Sequence, residues 1–510
     1  MSDESSRTYD YCVLGGGASG LVAAVELATN GKSVLVLEAG DRIAPGANLR
    51  TAEQAWERAL SPGDPRKSSN PWTASALGGG TVFFAGITFR YREIDFAPSR
   101  FLAGDALDGT WPVRYADLRP YYDEMERRLG VARTLSGDLW QPPSAGAPLP
   151  PHDHDERGQI LAEAARGLGL HPFPTPLAIN SRAFQGHPAC TGCSGCTEHV
   201  CPSGAKGDAV RRVLDVLPSA RDMTVRTGAR VLRLIPGRRE QVRAVEWLDA
   251  DGKTRHLTQA RQFILAANAV QTARLLLNST AKWAPDGIGN SSGLVGAGLS
   301  VKLSGYVSGV RAVSKGAPPG GPHSTVAFSD YYLHPDIPGQ LGGIMYQANP
   351  VVDDDGRTVR VHVLAGDQPV ERNRVRLAHQ RDTWGIPKAV LDYRIHPRDG
   401  DRLRFLAQQA TNLLHAAKVS RIRFEPTEFH RGSRHLHGTC RSGPDPKESV
   451  TTPDGRLHDV ENVHVVDASL FPFAGGVNPV LTIQANALRI ARNLSARPAA
   501  ARPADPNCVD

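Results

Sequence analysis

A short alternating run, Tyr9–Leu14, passes directly into Gly15-Gly16-Gly17-Ala18-Ser19-Gly20, and a helical pattern follows from Leu21 to Thr29. No other feature of the 510 residues limits the fold as tightly. In a Gly15-x-Gly17-x-x-Gly20 spacing the first glycine permits a sharp turn. The second lets a ligand's diphosphate approach the backbone, and the third lets helix and strand pack. The helix start then offers N–H groups and a partial positive charge to the phosphates. Ser33–Leu37 reads as the next strand and ends at Glu38, whose carboxylate can accept both hydroxyls of a ribose and disfavours a 2′-phosphate. This is a βαβ dinucleotide site, although the fingerprint alone does not separate NAD from FAD.

The rest of the chain leaves this α/β core and returns to it. Pro71–Arg90 is glycine-rich and polar-aromatic, and residues 96–180 are proline-rich with one helical stretch near Leu118–Leu129. Val225–Ile235 and Gln241–Leu248 read as strands, and Phe263–Ala267 as an apolar strand feeding a helix through Leu277. Period-2 segments at Val301–Val313, Thr358–Leu364, Asn373–Leu377 and Ala389–Ile395 predict an antiparallel sheet. Leu403, Leu406, Ala410 and Leu414 mark one face of a helix over Asp401–Lys418. A strand at Val463–Val466, a helix over Pro479–Leu494 and a disordered Ala/Pro-rich tail complete the reading.

Composition removes some function classes. A net charge of +7 arises from 59 basic against 52 acidic residues. The basic residues come as pairs (Arg211–Arg212, Arg238–Arg239) rather than a stripe, so nucleic-acid binding is not expected. No uninterrupted apolar stretch reaches the roughly 18 residues that a membrane span requires. The polar N-terminus does not read as a secretory signal, so the expected location is cytoplasmic.

Four of the seven cysteines crowd into Cys190-x2-Cys193-x2-Cys196-x4-Cys201-Pro202. This is close to the ferredoxin spacing and points first to an iron–sulfur cluster. Zinc, a disulfide or free thiols, and a purely structural turn stay open as alternatives.

Four separated segments resemble the glucose–methanol–choline (GMC) oxidoreductases. They are Tyr9–Arg42; Gly78-Gly79-Gly80-Thr81-Val82-Phe83-Phe84-Ala85-Gly86; Phe263–Leu277, similar to the family's LAAGAxxTPxLLL; and His435–Gly443 with Val463–Ala491, similar to H-x-x-G-T-x-R-x-G followed by VVDAS…NPxLT. The Cys-rich loop resembles that of bacterial FAD glucose dehydrogenases carrying an iron–sulfur cluster. The resemblance implies an α/β FAD-binding Rossmann-type domain interleaved with an α+β substrate domain built on an antiparallel sheet. Its expected parts are 1–95, 201–298 and 451–495 for FAD, 96–200 as an insertion bearing the Cys loop, 299–450 for substrate, and 496–510 as the tail. FAD would lie against Gly15, Gly17, Ala18, Ser19, Gly20, Glu38, Ala39, Gly79, Gly80, Thr81, Val231, Ala267, Asp467, Ala468, Asn478 and Pro479. Phe84 stands where some members attach FAD through a histidine, so the cofactor is expected to be non-covalent.

By the same resemblance the chain would oxidise an alcohol, with His435 as base and Asn478 holding the substrate oxygen. Histidine suits the first task because it cycles protons near neutrality. His437 is the alternative base. Asn478 before Pro479 also reads as a simple helix cap. A cluster at Cys190, Cys193, Cys196 and Cys201 would carry electrons to an external acceptor, making a dehydrogenase. An O2-using oxidase of the same fold and a non-catalytic electron carrier or redox sensor are the competing readings. Acidic side chains at Asp353, Asp354, Asp355 and Asp367 favour a sugar, glycoside or aminocyclitol-like substrate.

Overall fold

The computed structural model describes residues 7–47, 59–60, 68–69, 73–193, 195–218, 221–238, 240–311, 321–337, 339–349, 357–427 and 435–496. Strand β1 (Thr8–Leu14) feeds helix α1 (Ala18–Thr29), and the chain returns as β2 (Val34–Leu37). Two short strands follow, β3 (Ala59–Leu60) and β4 (Ser68–Ser69), then α2 (Tyr115–Leu129), α3 (Glu156–Gly167) and β5 (Phe173–Pro174). β6 (Met223–Arg226), β7 (Arg230–Pro236), β8 (Val242–Leu248) and β9 (Arg255–Leu265) lead into α4 (Asn268–Asn278). Next come β10 (Leu303–Val310), β11 (Val326–Phe328), β12 (Gly343–Gln347), β13 (Thr358–Ala365), β14 (Arg374–Arg381) and β15 (Pro387–Asp392). The chain closes with α5 (Pro397–Ala416), β16 (Ser420–Pro426), β17 (Val463–Val465) and α6 (Val480–Ala496).

The first sheet runs β6-β2-β1-β9, with β17 also paired to β9. These pairings are parallel. Parallel strands covered on both faces read as unbroken apolar runs, and the four residues of β2 (Val-Leu-Val-Leu) are all buried. β9 is long because it serves three partners. Its first half pairs antiparallel with β8, and its second half lies between β1 and β17. The single strand expected over Val225–Ile235 is in fact β6 and β7, separated at Gly228, whose φ of 67° breaks the extended run.

The second sheet is antiparallel, in the order β16-β10-β13-β12-β11-β5. Alternation sorts its side chains. Val307, Met345, Val361 and Val363 pack with Leu406, Leu413 and Leu414 of α5. Their neighbours Tyr306, Tyr346 and His362 face the other way, toward the first sheet's turn region. A smaller sheet, β14-β15-β3-β4, completes the fold. Among the described residues no helix is long and apolar enough to cross a membrane. The expected tail, apart from Ala496, lies outside the described residues.

Candidate active site

A cavity of about 360 Å³ opens where the carboxyl ends of β1, β2 and β9 meet the outward face of the second sheet. One end is the glycine turn. Gly15 holds φ at 108°, and a Cβ there would sit 2.5 Å from the Ala266 carbonyl oxygen, so only glycine fits. Helix α1 begins at Gly17 with no side chain capping it, which leaves its first turn facing the cavity through Ala18 and Ser19. Glu38 is buried at the end of β2. Its two oxygens accept from Gly16 N (2.7 Å) and Gly40 N (2.8 Å), which fixes the carboxylate at the cavity rim. The segment 78–83 is pinned across the turn by Gly78 N donating to Gly16 O (2.7 Å).

Of the sequence-expected cofactor residues, Gly15, Gly17, Ala18, Ser19, Glu38, Ala39, Gly79, Gly80, Thr81, Val231, Ala267, Asp467, Ala468, Asn478 and Pro479 line this cavity. Gly20 does not. It lies one turn in, where a Cβ would fall 1.9 Å from Gly15 O. Asn268, where the resembling motif has glycine, adopts φ of 74°, a conformation asparagine tolerates, and its Oδ1 accepts from Val270 N and Gln271 N. Asp467 accepts from Thr272 Oγ1 (2.6 Å) and Ser469, tying the end of β17 to α4.

His435 and Asn478 line the same cavity, and His437 does not. His437 is fully buried behind the pair. Its Nδ1 lies 2.7 Å from the His435 carbonyl, and its Nε2 lies 3.2 Å from Tyr91 Oη. A carbonyl only accepts, so Nδ1 carries the proton of a neutral ring. Burial, then the nearby Lys302 charge, hold this imidazole well below its usual pKa. The buried ring therefore supports His435 rather than facing a ligand.

Asn478 does not cap α6. The first helical bond runs from Ile483 N to Pro479 O (2.9 Å). Asn478 instead donates from Nδ2 to Tyr346 Oη (3.4 Å), and its Oδ1 is buried without a hydrogen-bond partner. The Val477 carbonyl just before it accepts from Lys302 Nζ. Lys302 is buried, 4.8 Å from the Tyr91 ring centre, with Asp95 and Asp367 as its acidic neighbours. Burial lowers its pKa to about 7 against their pull. Lys302→Met should therefore cost about 1–3 kcal/mol, because it leaves the buried Val477 carbonyl without its donor and removes a positive charge near Asp95 and Asp367. An unchanged urea-unfolding free energy would refute that role for the Lys302 ammonium.

Two expectations need correction. Asp367 does not face substrate; it is buried and accepts from Ser300 Oγ (2.8 Å), Val301 N (2.8 Å) and Tyr393 Oη (2.9 Å). Asp353, Asp354 and Asp355 lie outside the described residues. The cysteine loop is the second. Among the described residues no three His, Cys, Asp or Glu side chains are grouped to hold a metal ion, so the iron–sulfur expectation at Cys190, Cys193, Cys196 and Cys201 is not supported. Cys193 is exposed while Cys196 and Cys201 are buried. A lysine ties this loop down instead, as Lys206 Nζ donates to the carbonyls of Phe84 (2.9 Å), Cys196 (2.8 Å) and His199 (2.7 Å).

The lining residues that sequence reasoning missed are Tyr306, Tyr346, His362, His323, Gln271 and Arg274. The period-2 pattern placed Tyr306 and His362 on strands, gave no strand at Tyr346, and carried no sign of which strands would be neighbours.

A parallel sheet with this turn, this acid and a histidine–asparagine pair at its carboxyl edge defines an FAD-dependent oxidoreductase acting on CH–OH donors. The chain belongs to the GMC oxidoreductase family, whose N-terminal model matches residues 9–303 and whose C-terminal model matches residues 369–487. It is 43% identical over 512 residues to 6'''-hydroxyparomomycin C oxidase of Streptomyces lividus, covering 98% of this chain and 94% of that protein. It is 44% identical over 502 residues to paromamine 6'-oxidase of Streptomyces fradiae, covering 96% and 92%. Among solved structures, pyridoxine 4-oxidase from Mesorbium loti superposes with a TM-score of 0.68 at 20% identity, covering 95% of this chain and 99% of that one, which supports the fold.

The site fits FAD on its own geometry. Gly17 has ordinary backbone angles (φ −81°), and a Cβ on it would meet nothing nearer than Gly79 Cα at 3.9 Å. Neither strain nor packing within the protein requires glycine there. The space beside it is a cradle that a side chain would fill.

Proposed function

We propose that this enzyme oxidises a hydroxyl of an aminocyclitol glycoside, at the 6-position of an amino-sugar ring, with dioxygen as acceptor. The observation that carries the chemistry is the buried, unpartnered Asn478 Oδ1 in the same cavity as His435. An acceptor without a donor in such a place is costly unless a ligand's O–H or N–H completes it. The substrate class follows the names of the two relatives above 40% identity, both called oxidases.

In this reading the first turn of α1 and Gly79–Thr81 hold the diphosphate, Glu38 accepts from the ribose, and Ala229–Val231 border the adenosine end. Phe84, an apolar neighbour without a nucleophilic atom, leaves the cofactor non-covalent. Bound FAD supplies the hydride acceptor. His435 takes the hydroxyl proton as the C–H bond is broken, and Asn478 Oδ1 accepts from a second O–H or N–H⁺ of the amino sugar, which places the reacting carbon. The start of α6, whose residues Asn478, Pro479 and Val480 line the cavity, directs its positive end at the negative charge that develops there.

Paromamine is the test substrate. With it, the purified holoenzyme should consume oxygen and release hydrogen peroxide in equal amounts with the aldehyde. Oxidation that proceeds only with an artificial dye, in a preparation containing iron and acid-labile sulfide, would overturn the oxidase reading in favour of the cluster-linked dehydrogenase.

A further inference from the structure

The cavity wall opposite the glycine turn contains a hydrogen-bonded chain that neither the fingerprint nor the catalytic pair accounts for. Tyr306 on β10, His362 on β13 and Tyr346 on β12 form one cross-strand row, with Tyr306 opposite His362 and His362 opposite Tyr346. Tyr306 and His362 stack with ring centres 4.5 Å apart, and Tyr346 meets His362 edge-on at 5.0 Å. With each ring braced by its neighbour, Tyr346 presents its hydroxyl at a set point. That hydroxyl lies 2.5 Å from His362 Nδ1 and 3.4 Å from Asn478 Nδ2. All four residues border the cavity.

With His362 in its Nε2–H tautomer, Nδ1 is an acceptor and the protons on this chain are set. A tyrosine hydroxyl has a single proton. Given to the Nδ1 lone pair of His362, it leaves the oxygen free only to accept, and an accepting oxygen selects the NH2 side of the Asn478 amide. The other end of that amide, Oδ1, is thereby turned away, and it is the atom found buried and unpartnered. Without Tyr346 Oη the amide could rotate by half a turn and offer a donor where the acceptor now stands.

We propose that Tyr346, held by His362, is a positioning residue that sets the orientation of Asn478, so that a carbonyl oxygen rather than an amide N–H meets the substrate. The group it meets is a second O–H or N–H⁺ of the amino-sugar alcohol named above, not the hydroxyl whose proton goes to His435, and the proposal rests on that reading of Asn478. It makes the substrate's donor character, more than its shape, the property selected at this wall.

The test is a double-mutant cycle on anaerobic flavin reduction by paromamine, together with binding of its 6-deoxy analogue followed through the flavin absorbance. Tyr346→Phe keeps the ring and the sheet. It should retain FAD and slow reduction about tenfold, the scale of one neutral hydrogen bond. Its affinity for the deoxy analogue, which keeps the amino groups and cannot be oxidised at that carbon, should fall by a similar factor. In an Asn478→Ala background the same Tyr346→Phe change should have almost no further effect. Asn478→Asp, which keeps the shape but cannot donate to Tyr346, serves the same cycle should the alanine variant not fold. A Tyr346→Phe loss that persists in full in either background, or no loss at all, overturns the proposal. If Asn478→Ala alone leaves both reduction and binding unchanged, the assignment of Asn478 itself falls, and this inference falls with it.

Discussion

Replacing His435 with alanine should slow anaerobic flavin reduction by alcohol about 10²–10⁴-fold, the usual contribution of a positioned general base, while FAD stays bound. The two effects separate because the cofactor's diphosphate end is built from β1, α1 and the 78–83 segment, far along the chain from His435. Chemical reduction by dithionite should be unaffected, which shows that the cofactor itself remains competent. A variant that reduces its flavin at the wild-type rate would exclude His435 as the base. His437→Ala offers the contrasting case. That ring fills a buried slot between Tyr91 and the His435 carbonyl, so its loss should lower stability as well as rate.

The chemistry that could be read from the sequence is the part written in consecutive residues. The turn at Gly15–Gly20 and the acid at Glu38 are local, and their backbone requirements follow from spacing alone. The alternating strands β10 and β13 were legible for the same reason: one face must be buried, and they bury their aliphatic face under α5, whereas the short β12 gave no such signal. What was illegible depends on which strands become neighbours. Nothing near Tyr306 in the chain announces His362 or Tyr346, because their meeting is set by register across β10, β13 and β12. The cysteine loop shows the opposite failure. Its spacing suits a cluster, but spacing does not specify where thiols point, and the buried ammonium of Lys206 among three carbonyls organises that loop instead. Asn478 stood between two readings until the structure showed Pro479 O taking the cap position.

Gly17 and Gly20 should respond differently to alanine, and the difference isolates what each glycine is for. At position 20 a methyl group would lie 1.9 Å from Gly15 O and 3.1 Å from Ala266 Cβ. The first of these is backbone in the turn itself, so α1 must move away from β1. Gly20→Ala should therefore lower the melting temperature of the apoprotein and abolish FAD uptake together. At position 17 the same methyl group meets no protein atom closer than 3.9 Å, and the backbone angles suit any residue. The apoprotein should melt within a degree or two of the wild type, as expected for a change without a packing cost. FAD affinity should nevertheless fall by about two orders of magnitude or more, because the methyl group occupies the path by which a diphosphate reaches the N–H groups of α1. Calorimetric titration of FAD into both apoproteins, beside their melting curves, measures the two quantities separately. A Gly17→Ala protein that binds FAD normally would mean that the diphosphate does not pass over this turn, and the assignment of the cavity to the cofactor would fail with it.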